Sequence, residues 1–286
     1  KNRKTPYLAV INKTDLLSLD ELNLLKKDKK FKNILFVSTI DDNTINKLKD
    51  QLITELQEKE DNTIIGDIVP YNGKVILVIP MDSEAPKGRL ILPQVQLIRD
   101  CLDHGIKSYI VRDSELKGAL ADIKDVDLVI TDSIIFKEVE NIIPRNIKLT
   151  SFSILMARQK GDLNKLLEGV KAIKRLELVD KPRVLIMESC SHNISHEDIG
   201  TVKIPNLLSN HLKKHVEFTF KMGEDFPKDI KNFDLVIHCG SCMFNRKTML
   251  RRIDLCSENN IPITNYGIIL AYIAGILDRS TEFLIE

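Results

Sequence analysis

Short apolar runs alternate with amphipathic stretches along this chain of 286 residues. Most of these runs contain no polar residue, which is typical of strands buried in a parallel sheet. They lie at residues 8–11, 34–37, 75–79, 108–111, 128–130, 184–187, 235–237 and 262–264. Stretches with helical periodicity lie between them, at 44–57, 95–103, 163–176 and 247–258. This alternation predicts an α/β fold of successive three-layer domains with mainly parallel sheets.

Two changes in sequence character divide the chain into three predicted domains. A charged segment at residues 58–61 precedes a new apolar run, and a polar-faced helical stretch between residues 161 and 182 leads into another. The predicted domains are therefore 1–62, 63–165 and 166–286. No internal repeat is evident in the sequence. The chain has no initiator Met, so we expect it to begin inside a longer protein.

Charge and composition argue against several kinds of partner. The formal net charge is +1, Trp is absent and Phe and Tyr are sparse, so neither a nucleic-acid surface nor a base-stacking platform is expected. The longest apolar stretch, 266–277, is too short to span a bilayer and is predicted to be a buried helix, so no membrane partner is expected. Clustered cysteines and the lack of a signal peptide predict a protein of the reducing cytoplasm.

Three cysteines and two histidines fall in two short segments that adjoin apolar runs. The segments are Cys190-Ser-His192 and His238-Cys239-Gly-Ser-Cys242, with 45 residues between the two histidines. Ligands gather at the carboxyl ends of strands in open α/β sheets, and neighbouring strands lie about 4.8 Å apart. Two adjacent strands are therefore expected to present the thiols to one metal centre. The spacer is expected to be a single strand–helix–strand excursion.

Side-chain alternation predicts which groups share the face of the site. If the first strand stays extended, Glu188, Cys190 and His192 point to one face, whereas His238 points away from Cys239. Glu188 or His192 is therefore the candidate fourth ligand of the metal. His238, and His192 if it does not bind, are predicted to support the ligands from behind.

Three kinds of site are compatible with these residues. A structural zinc site would use three thiolates and one imidazole. A redox pair of two cysteines would leave the third cysteine and both histidines unexplained. An iron–sulfur cluster held by three thiolates keeps one exchangeable iron position, which suits the binding or delivery of another species.

A second motif, Asn12-Lys13-Thr-Asp15, follows the first apolar run. The Asp15 carboxylate can accept hydrogen bonds from N1–H and the exocyclic amine of guanine, which adenine does not offer. Lys13 would lie along the base, Asn12 would brace the loop, and Ser38 with Thr39 would form a second guanine-contacting loop. The alternative is an ordinary turn in which Asp15 caps the next helix. The sequence contains no Gly-x-x-x-x-Gly-Lys-Ser/Thr, so this chain alone is not expected to hydrolyse GTP.

The guanine motif, the middle α/β region and the split cysteine–histidine motif together resemble the HydF family of FeFe-hydrogenase maturation GTPases. The resemblance implies that 1–62 is the C-terminal remnant of a GTP-binding domain that is truncated at its N-terminus. It implies a dimerisation domain at 63–165 and an iron–sulfur cluster domain at 166–286. It also implies that Cys190, Cys239 and Cys242 bind a 4Fe-4S cluster, with His192 and His238 as the motif histidines.

The resemblance further implies a scaffold function. Such a homodimer would receive a diiron precursor from two radical-SAM maturases and deliver it to apo FeFe-hydrogenase. GTP with Mg would act as a switch in the intact protein, which would be the GTPase. The alternative is a zinc-stabilised interaction module at the tail of a regulatory GTPase, which would lose stability sharply when its metal is removed.

The remaining cysteines and histidines are predicted to have structural roles. Cys101 and Cys256 lie in helical stretches beside apolar residues and are expected to be buried. The expected solvated helix-end residues are His104, His211 and His215. His196 lies close to the metal motif and is equally compatible with a hydrogen bond there or a loop position.

Overall fold

The computed structural model describes residues 8–32, 34–55, 63–81, 88–189, 198–223, 226–227 and 229–285. The chain divides into two compact units, 1–61 and 62–286. All strand pairs among the described residues are parallel, and α-helices are described between consecutive strands except β8 and β9, where the described connection has a 3-10 turn at Ile230–Asn232. The predicted α/β fold with parallel sheets is confirmed.

The first unit contains one parallel strand pair, β1 (Ala9–Ile11) and β2 (Ile34–Phe36). Helix α1 (Leu19–Lys27) connects the strands, and α2 (Asp42–Glu55) follows the second. Among the described residues of this unit, Val37 is the one buried apolar side chain. This two-stranded unit therefore has a very small core of its own.

The second unit contains two four-stranded sheets with the same topology. The first sheet, called the middle sheet, consists of β3 (Lys74–Val78), β4 (Lys107–Val111), β5 (Leu128–Thr131) and β6 (Lys148–Ser151), in the spatial order β4-β3-β5-β6. The second, called the cysteine sheet, consists of β7 (Arg183–Glu188), β8 (Glu217–Met222), β9 (Leu235–His238) and β10 (Ile263–Asn265), in the order β10-β9-β7-β8. In both sheets the first strand in the chain is an inner strand, and the second is the edge strand on one side of it. The third and fourth are the other inner strand and the edge strand on the opposite side.

Helices follow the strands of both sheets. Those of the middle sheet are α3 (Leu92–Asp103), α4 (Leu116–Asp122), α5 (Phe136–Ile142) and α6 (Phe152–Lys160). The connection to the cysteine sheet forms α7 (Leu163–Val170) and α8 (Ile173–Leu176), and the later helices are α9 (Ile204–Leu212), α10 (Arg246–Glu258), α11 (Tyr266–Ala274) and α12 (Leu277–Thr281). A π-helical turn, Ile199–Lys203, precedes α9. In the described part of the chain, no helix has both the length and the apolar character needed to cross a bilayer.

The two sheets correspond residue by residue, which reveals an internal repeat. The tetrapeptide Asp127-Leu-Val-Ile leads into β5, and the same tetrapeptide at Asp234 leads into β9. Oδ2 of Asp127 accepts a hydrogen bond from the Lys74 N–H at 2.8 Å, and Oδ2 of Asp234 accepts one from the Arg183 N–H at 2.8 Å. The expectation of no internal repeat is therefore wrong. Most matched positions share only apolar character, so the repeat is hard to recognise in sequence.

The repeat continues into the helices that follow the last strand of each sheet. Ser151 caps α6, and the matching Asn265 caps α11. The two helices pack against each other through equivalent residues, because the Gly267 N–H donates to Ser153 Oγ at 3.1 Å. A Cβ at Gly267 would lie 2.8 Å from the Cβ of Ser153, so the helices approach too closely for a side chain there.

The helix that comes after the last helix of each sheet packs against the other sheet. Helix α7, which follows α6, packs against β10, and α12, which follows α11, packs against β6. Gly169 of α7 lies so close to β10 that an added Cβ would be 1.8 Å from the carbonyl oxygen of Ile263. On the other side, Thr150 Oγ1 donates to the Ser280 carbonyl at 3.0 Å. One apolar core therefore runs through both sheets, and the predicted boundary at 165/166 falls inside α7.

Two strands were not predicted from the sequence. Strand β6 ends in Thr150 and Ser151, which are polar but buried, and β8 is an edge strand whose residues are mostly exposed. Because β8 lies between β7 and β9 in the chain, the spacer in the metal motif contains α9 and an additional strand. The prediction of a single strand–helix–strand excursion is therefore wrong.

Candidate metal centre

The candidate metal centre lies at the carboxyl ends of β7 and β9. These strands are adjacent and parallel, with Met187 opposite His238, and Cys239 follows the end of β9 directly. Cys190, His192 and His196 lie outside the described residues. With residues 190–197 left out, the described part of the chain shows no group of three His, Cys, Asp or Glu arranged as a metal site.

The Cys239 sulfur is held by groups from both strand ends. Its Sγ accepts hydrogen bonds from the backbone N–H of Ser189 at 3.2 Å and of Ser241 at 3.5 Å, and its thiol donates to Ser189 Oγ at 3.3 Å. Burial raises the pKa of this thiol, the bonds to both serines oppose that effect, and the charge of Cys242 reinforces it. Without metal the sulfur is therefore a thiol at neutral pH, and a metal bound there would release its proton.

Cys242 lies on the same short loop, residues 239–244. The loop turns through Ser241, which has a left-handed φ of 55°, and closes with a hydrogen bond from the Phe244 N–H to the Ser241 carbonyl at 3.0 Å. Asn245 then caps α10 by accepting from the Thr248 N–H at 2.9 Å. Two thiols on one compact loop, with N–H donors on one of them, fit a thiolate-bound metal or cluster.

Glu188 is buried beside these sulfurs. Its Oε1 accepts a hydrogen bond from the Tyr266 hydroxyl at 2.9 Å. Burial, and then the negative charge of Glu188, raises the pKa of Tyr266 well above its usual value, so the phenol stays protonated and donates. Gly200 covers the pair, since an added Cβ would lie 2.3 Å from both the carboxylate and the phenol oxygen. Two other parts of the chain, at Tyr266 and Gly200, thus fix the position of this carboxylate at the end of β7.

His238 is fully buried, and both of its ring nitrogens contact other protein groups. Nε2 accepts a hydrogen bond from Arg252 Nη1 at 2.7 Å, because a guanidinium can only donate. The ring proton therefore lies on Nδ1, which donates to the Cys239 carbonyl at 3.0 Å. Burial and the charge of Arg252 lower the pKa of His238 to about 3, so the ring is neutral. Neither nitrogen is directed at a metal in this arrangement, and the ring instead braces the cysteine loop.

Three contributors to the site were not found from the sequence. Arg252 is buried and lies 4.4 Å from the centroid of the Phe244 ring, so it supports the loop from behind. The sequence held a signal for it, because Arg252 falls on the same face of α10 as the buried Met249 and Cys256. Tyr266 follows β10 at the same sheet edge as the cysteines, which was also a usable signal. Lys160, which contacts the loop, belongs to the middle sheet's last helix and could not be placed from sequence.

The guanine motif lies at the carboxyl ends of β1 and β2. The Ser38 hydroxyl donates a hydrogen bond to Asp15 Oδ1, so the two predicted guanine loops touch. Lys13 has a left-handed φ of 60°, and Asn12 Oδ1 accepts from its N–H at 2.7 Å. The alternative that Asp15 caps the next helix is wrong, because the N-cap of α1 is Ser18. Thr39 is exposed at the same edge.

The structural predictions for other cysteines and histidines have mixed outcomes. Cys101 and Cys256 are buried as predicted, and burial raises the pKa of each thiol to about 12. His104 ends α3 and bonds through Nδ1 to the Asp100 carbonyl at 2.8 Å. His211 lies in the last turn of α9 and is exposed as predicted, with one edge of its ring toward Tyr272.

Comparisons with known proteins point to one family. The Hydrogen maturase F dimerization domain model matches residues 64–161, and the Hydrogen maturase F tetramerization domain model matches residues 164–283. The two matches together cover most of the chain. A comparison with curated protein sequences finds no match.

Solved structures give only weak likenesses. A solute-binding protein of an ABC transporter system from Aeropyrum pernix K1 matches at 11% identity over 68% of this chain and 61% of that chain, with a TM-score of 0.24. A 5,10-methylenetetrahydrofolate dehydrogenase from the silkworm Bombyx mori matches at 13% identity over 83% of this chain and 92% of that chain, also with a TM-score of 0.24. At these scores neither likeness bears on fold or function.

Proposed function

The chain belongs to the hydrogen maturase F family, and from this premise we propose that its cysteine sheet holds a 4Fe-4S cluster on which a diiron precursor is carried to apo FeFe-hydrogenase. Family membership makes it a hydrogenase maturation protein with domains for dimerization and tetramerization. The cluster, the precursor and its delivery are the proposed part.

The observation that supports the proposal most directly is a contact between the two strand ends, in which the residue after β7 bonds to the Cys239 sulfur after β9. Ser189, the residue before Cys190, contacts the Cys239 sulfur through its N–H at 3.2 Å and its hydroxyl at 3.3 Å. Cys242 follows on the same loop. We therefore assign Cys190, Cys239 and Cys242 as cluster ligands. N–H groups that bond a ligand sulfur also tune the reduction potential of such clusters.

The fourth iron position gives the site its function. Three thiolates leave one iron for an exchangeable ligand, and the cluster supplies the attachment point for the diiron species there. Glu188 and His192 are the candidate residues for that position in the resting state. The Tyr266 hydroxyl holds the Glu188 carboxylate at 2.9 Å beside the end of β9, and this supports Glu188 as the stronger candidate.

The test is anaerobic reconstitution with iron and sulfide, followed by metal and sulfide analysis. We expect about four irons and about four sulfides per chain and a broad absorption near ~400 nm, as for thiolate-bound clusters. Stoichiometric zinc without iron in protein purified without oxygen would overturn the proposal.

A structural zinc site is the competing function, and metal removal separates it from a cluster. Chelation should unfold a domain that zinc holds together, because zinc binding then supplies folding free energy. Loss of an exchangeable cluster should leave the α/β fold intact. Far-UV circular dichroism before and after chelation distinguishes the two.

Homodimerisation is proposed to use the middle sheet's domain. Large apolar side chains are exposed on and around α3, where Val95 is 48% and Leu102 is 67% exposed. Such a patch marks an interaction surface in a protein of this size. Replacing both residues with Glu should shift the protein to a smaller species in size-exclusion chromatography with light scattering. The same exchange at the exposed Leu178 is the control.

GTP is proposed to bind through Asp15 and Ser38 in the intact protein and, with Mg, to act as a switch there. The contact between these residues supports a common binding edge. Asp15→Asn in the intact protein should weaken GTP binding and favour xanthosine triphosphate, because xanthine carries an oxygen where guanine carries the amine. If wild type and variant bind both nucleotides with equal affinity, Asp15 does not contact the base. The two radical-SAM maturases and apo FeFe-hydrogenase are the proposed partners.

A further inference from the structure

We propose that Lys160, the last residue of α6, is a positioning residue of the cluster site that holds the cysteine loop and raises the reduction potential of the cluster. This inference rests on the proposed function above. It concerns a residue that lies outside the cysteine–histidine motif and outside the sheet that carries it.

The Lys160 ammonium is surrounded by carbonyl oxygens of the cysteine loop. Nζ donates to the carbonyls of Ser241 at 3.4 Å, Cys242 at 2.9 Å and Phe244 at 3.1 Å. An ammonium has three N–H donors, and three carbonyls of this loop lie within hydrogen-bond distance of it. The loop at 239–244 therefore curls around one side chain, and the position of Cys242 depends on it.

A second cation ties the same elements together in the opposite direction. Arg246, at the start of α10, donates through Nη1 to the carbonyls of Gln159 and Arg158, the latter at 3.4 Å. Lys160 thus reaches from α6 to the loop, and Arg246 reaches from behind the loop to the end of α6. A cation at the last carbonyls of a helix is also favoured by the helix dipole.

The internal repeat shows that Lys160 is specific to the cysteine loop. The residue of α11 that corresponds to Lys160 is Ala274, which follows from aligning Gly161 with Gly275 at the ends of the two helices. The strand end of the middle sheet that corresponds to the cysteine loop carries Asp132 in place of Cys239. The cation and the thiols therefore come from different halves of the repeat, and the corresponding positions Ala274 and Asp132 carry neither a cation nor a thiol.

The charge of Lys160 has a predictable effect on the cluster. A cluster held by thiolates is anionic and gains a further negative charge on reduction. A partly buried cation beside the Cys242 carbonyl stabilises the reduced state more than the oxidised state, because the attraction grows with the charge of the cluster. Removing that cation should lower the reduction potential even if the cluster remains bound.

The experiment measures the midpoint potential of the reconstituted cluster by EPR-monitored redox titration. For Lys160→Met we expect the ratio of reduced to oxidised cluster at a fixed potential to fall by about tenfold, which is about 59 mV for one electron. Lys160→Arg should restore most of the wild-type potential because it keeps the charge. The control is Lys165→Met, because Lys165 pairs with Asp254 at 3.2 Å instead of the loop.

The outcomes separate this inference from the proposed function. If wild-type protein takes up no cluster, the proposed function fails. If wild type binds the cluster and Lys160→Met has the same midpoint potential as wild type, the role of Lys160 is refuted. The role is also refuted if the midpoint potential of Lys160→Met shifts no further than that of Lys165→Met, or only as far as that of Lys160→Arg. If Lys160→Met is folded but binds no iron while Lys160→Arg binds it, positioning is supported. If Lys160→Met is unfolded by circular dichroism, Lys160→Gln takes its place and the same comparison decides.

Discussion

The middle sheet and the cysteine sheet share a topology and differ in the residues at their carboxyl ends. Both use an Asp carboxylate at 2.8 Å from a backbone N–H to join their two inner strands. At the ends of those strands, however, Cys239 corresponds to Asp132, His238 to Thr131 and Glu188 to Ile79. The two sheets thus share one framework, and the candidate site differs from the equivalent strand ends of the middle sheet at a few positions.

The middle sheet shows that this framework forms without the motif cysteines, so it does not need a metal bound to them. The middle sheet has the same strand order and a buried core without any of the motif cysteines. Fold and function are therefore separable in this unit, with function located at the strand ends. An exchangeable cluster fits such a framework better than a zinc ion that the fold depends on.

The largest expected effect comes from removing one ligand. Cys239→Ser should abolish cluster binding and leave the unfolding free energy within about 0.5 kcal/mol of wild type, as for a change that leaves the core intact. The matched control is Cys256→Ser, because Cys256 is fully buried in the core. It should keep the cluster and lose about 1–3 kcal/mol through a buried hydroxyl. Iron analysis and urea unfolding measure both, and iron retained in Cys239→Ser would contradict the assignment.

The second largest expected effect comes from Arg252, the buried cation behind the cysteine loop. Arg252→Met leaves His238 Nε2 and the Gly223 carbonyl without their donor, each now at 2.7 Å. We expect a loss of about 3 kcal/mol, because buried polar groups would be left unsatisfied. Arg251→Met, at an exposed position on the same helix, should cost less than about 0.5 kcal/mol. Equal urea midpoints for the two metal-free variants would show that the cation behind the loop is dispensable.

A third prediction concerns the exchanged helices. Gly169→Ala places a Cβ 1.8 Å from a backbone oxygen of β10, so α7 must shift, at a cost of about 2 kcal/mol. In the middle sheet's domain, Gly118 of α4 has no heavy atom within 4 Å of the corresponding position. Gly118→Ala should therefore stabilise by about 0.5–1 kcal/mol through its helix propensity. Thermal unfolding should shift in opposite directions, and a neutral Gly169→Ala would refute the close contact.

The smallest effect is spectroscopic. Glu188→Gln keeps an oxygen for the Tyr266 hydroxyl and removes the charge. We expect the cluster to remain bound through three thiolates while its EPR signal changes, because the candidate fourth ligand is altered. An unchanged EPR spectrum at unchanged iron content would exclude Glu188 as that ligand.

The fold was predictable from sequence where burial produced uninterrupted apolar runs. Strands β3, β5, β7 and β9 are buried inner strands and were found. Strand β6 was missed because Thr150 replaces an apolar residue and donates instead to the Ser280 carbonyl at 3.0 Å. Strand β8 was missed because it is an edge strand, where only one side needs apolar residues.

The sequence predicted those parts of the candidate site whose side chains come from the strand ends of the cysteine sheet. Adjacent strand ends place Glu188 and Cys239 together, and this follows from the topology of a parallel sheet. The supports come from elsewhere: Lys160 from the other sheet's last helix, and Arg252 from a face of α10 that should be apolar. Distances between helices of different domains are not encoded in any local pattern, so these residues required the structure.

The exchange of helices also sets an order of events during synthesis. The middle sheet is encoded first, yet its strand β6 is covered by α12, at Leu277–Thr281, almost at the end of the chain described here. Because the ribosome releases the N-terminal part first, that flank stays open until the cysteine sheet has been made. The last helix therefore links the two sheets in time, because the middle sheet gains its full apolar cover only once the cysteine half of the chain is complete.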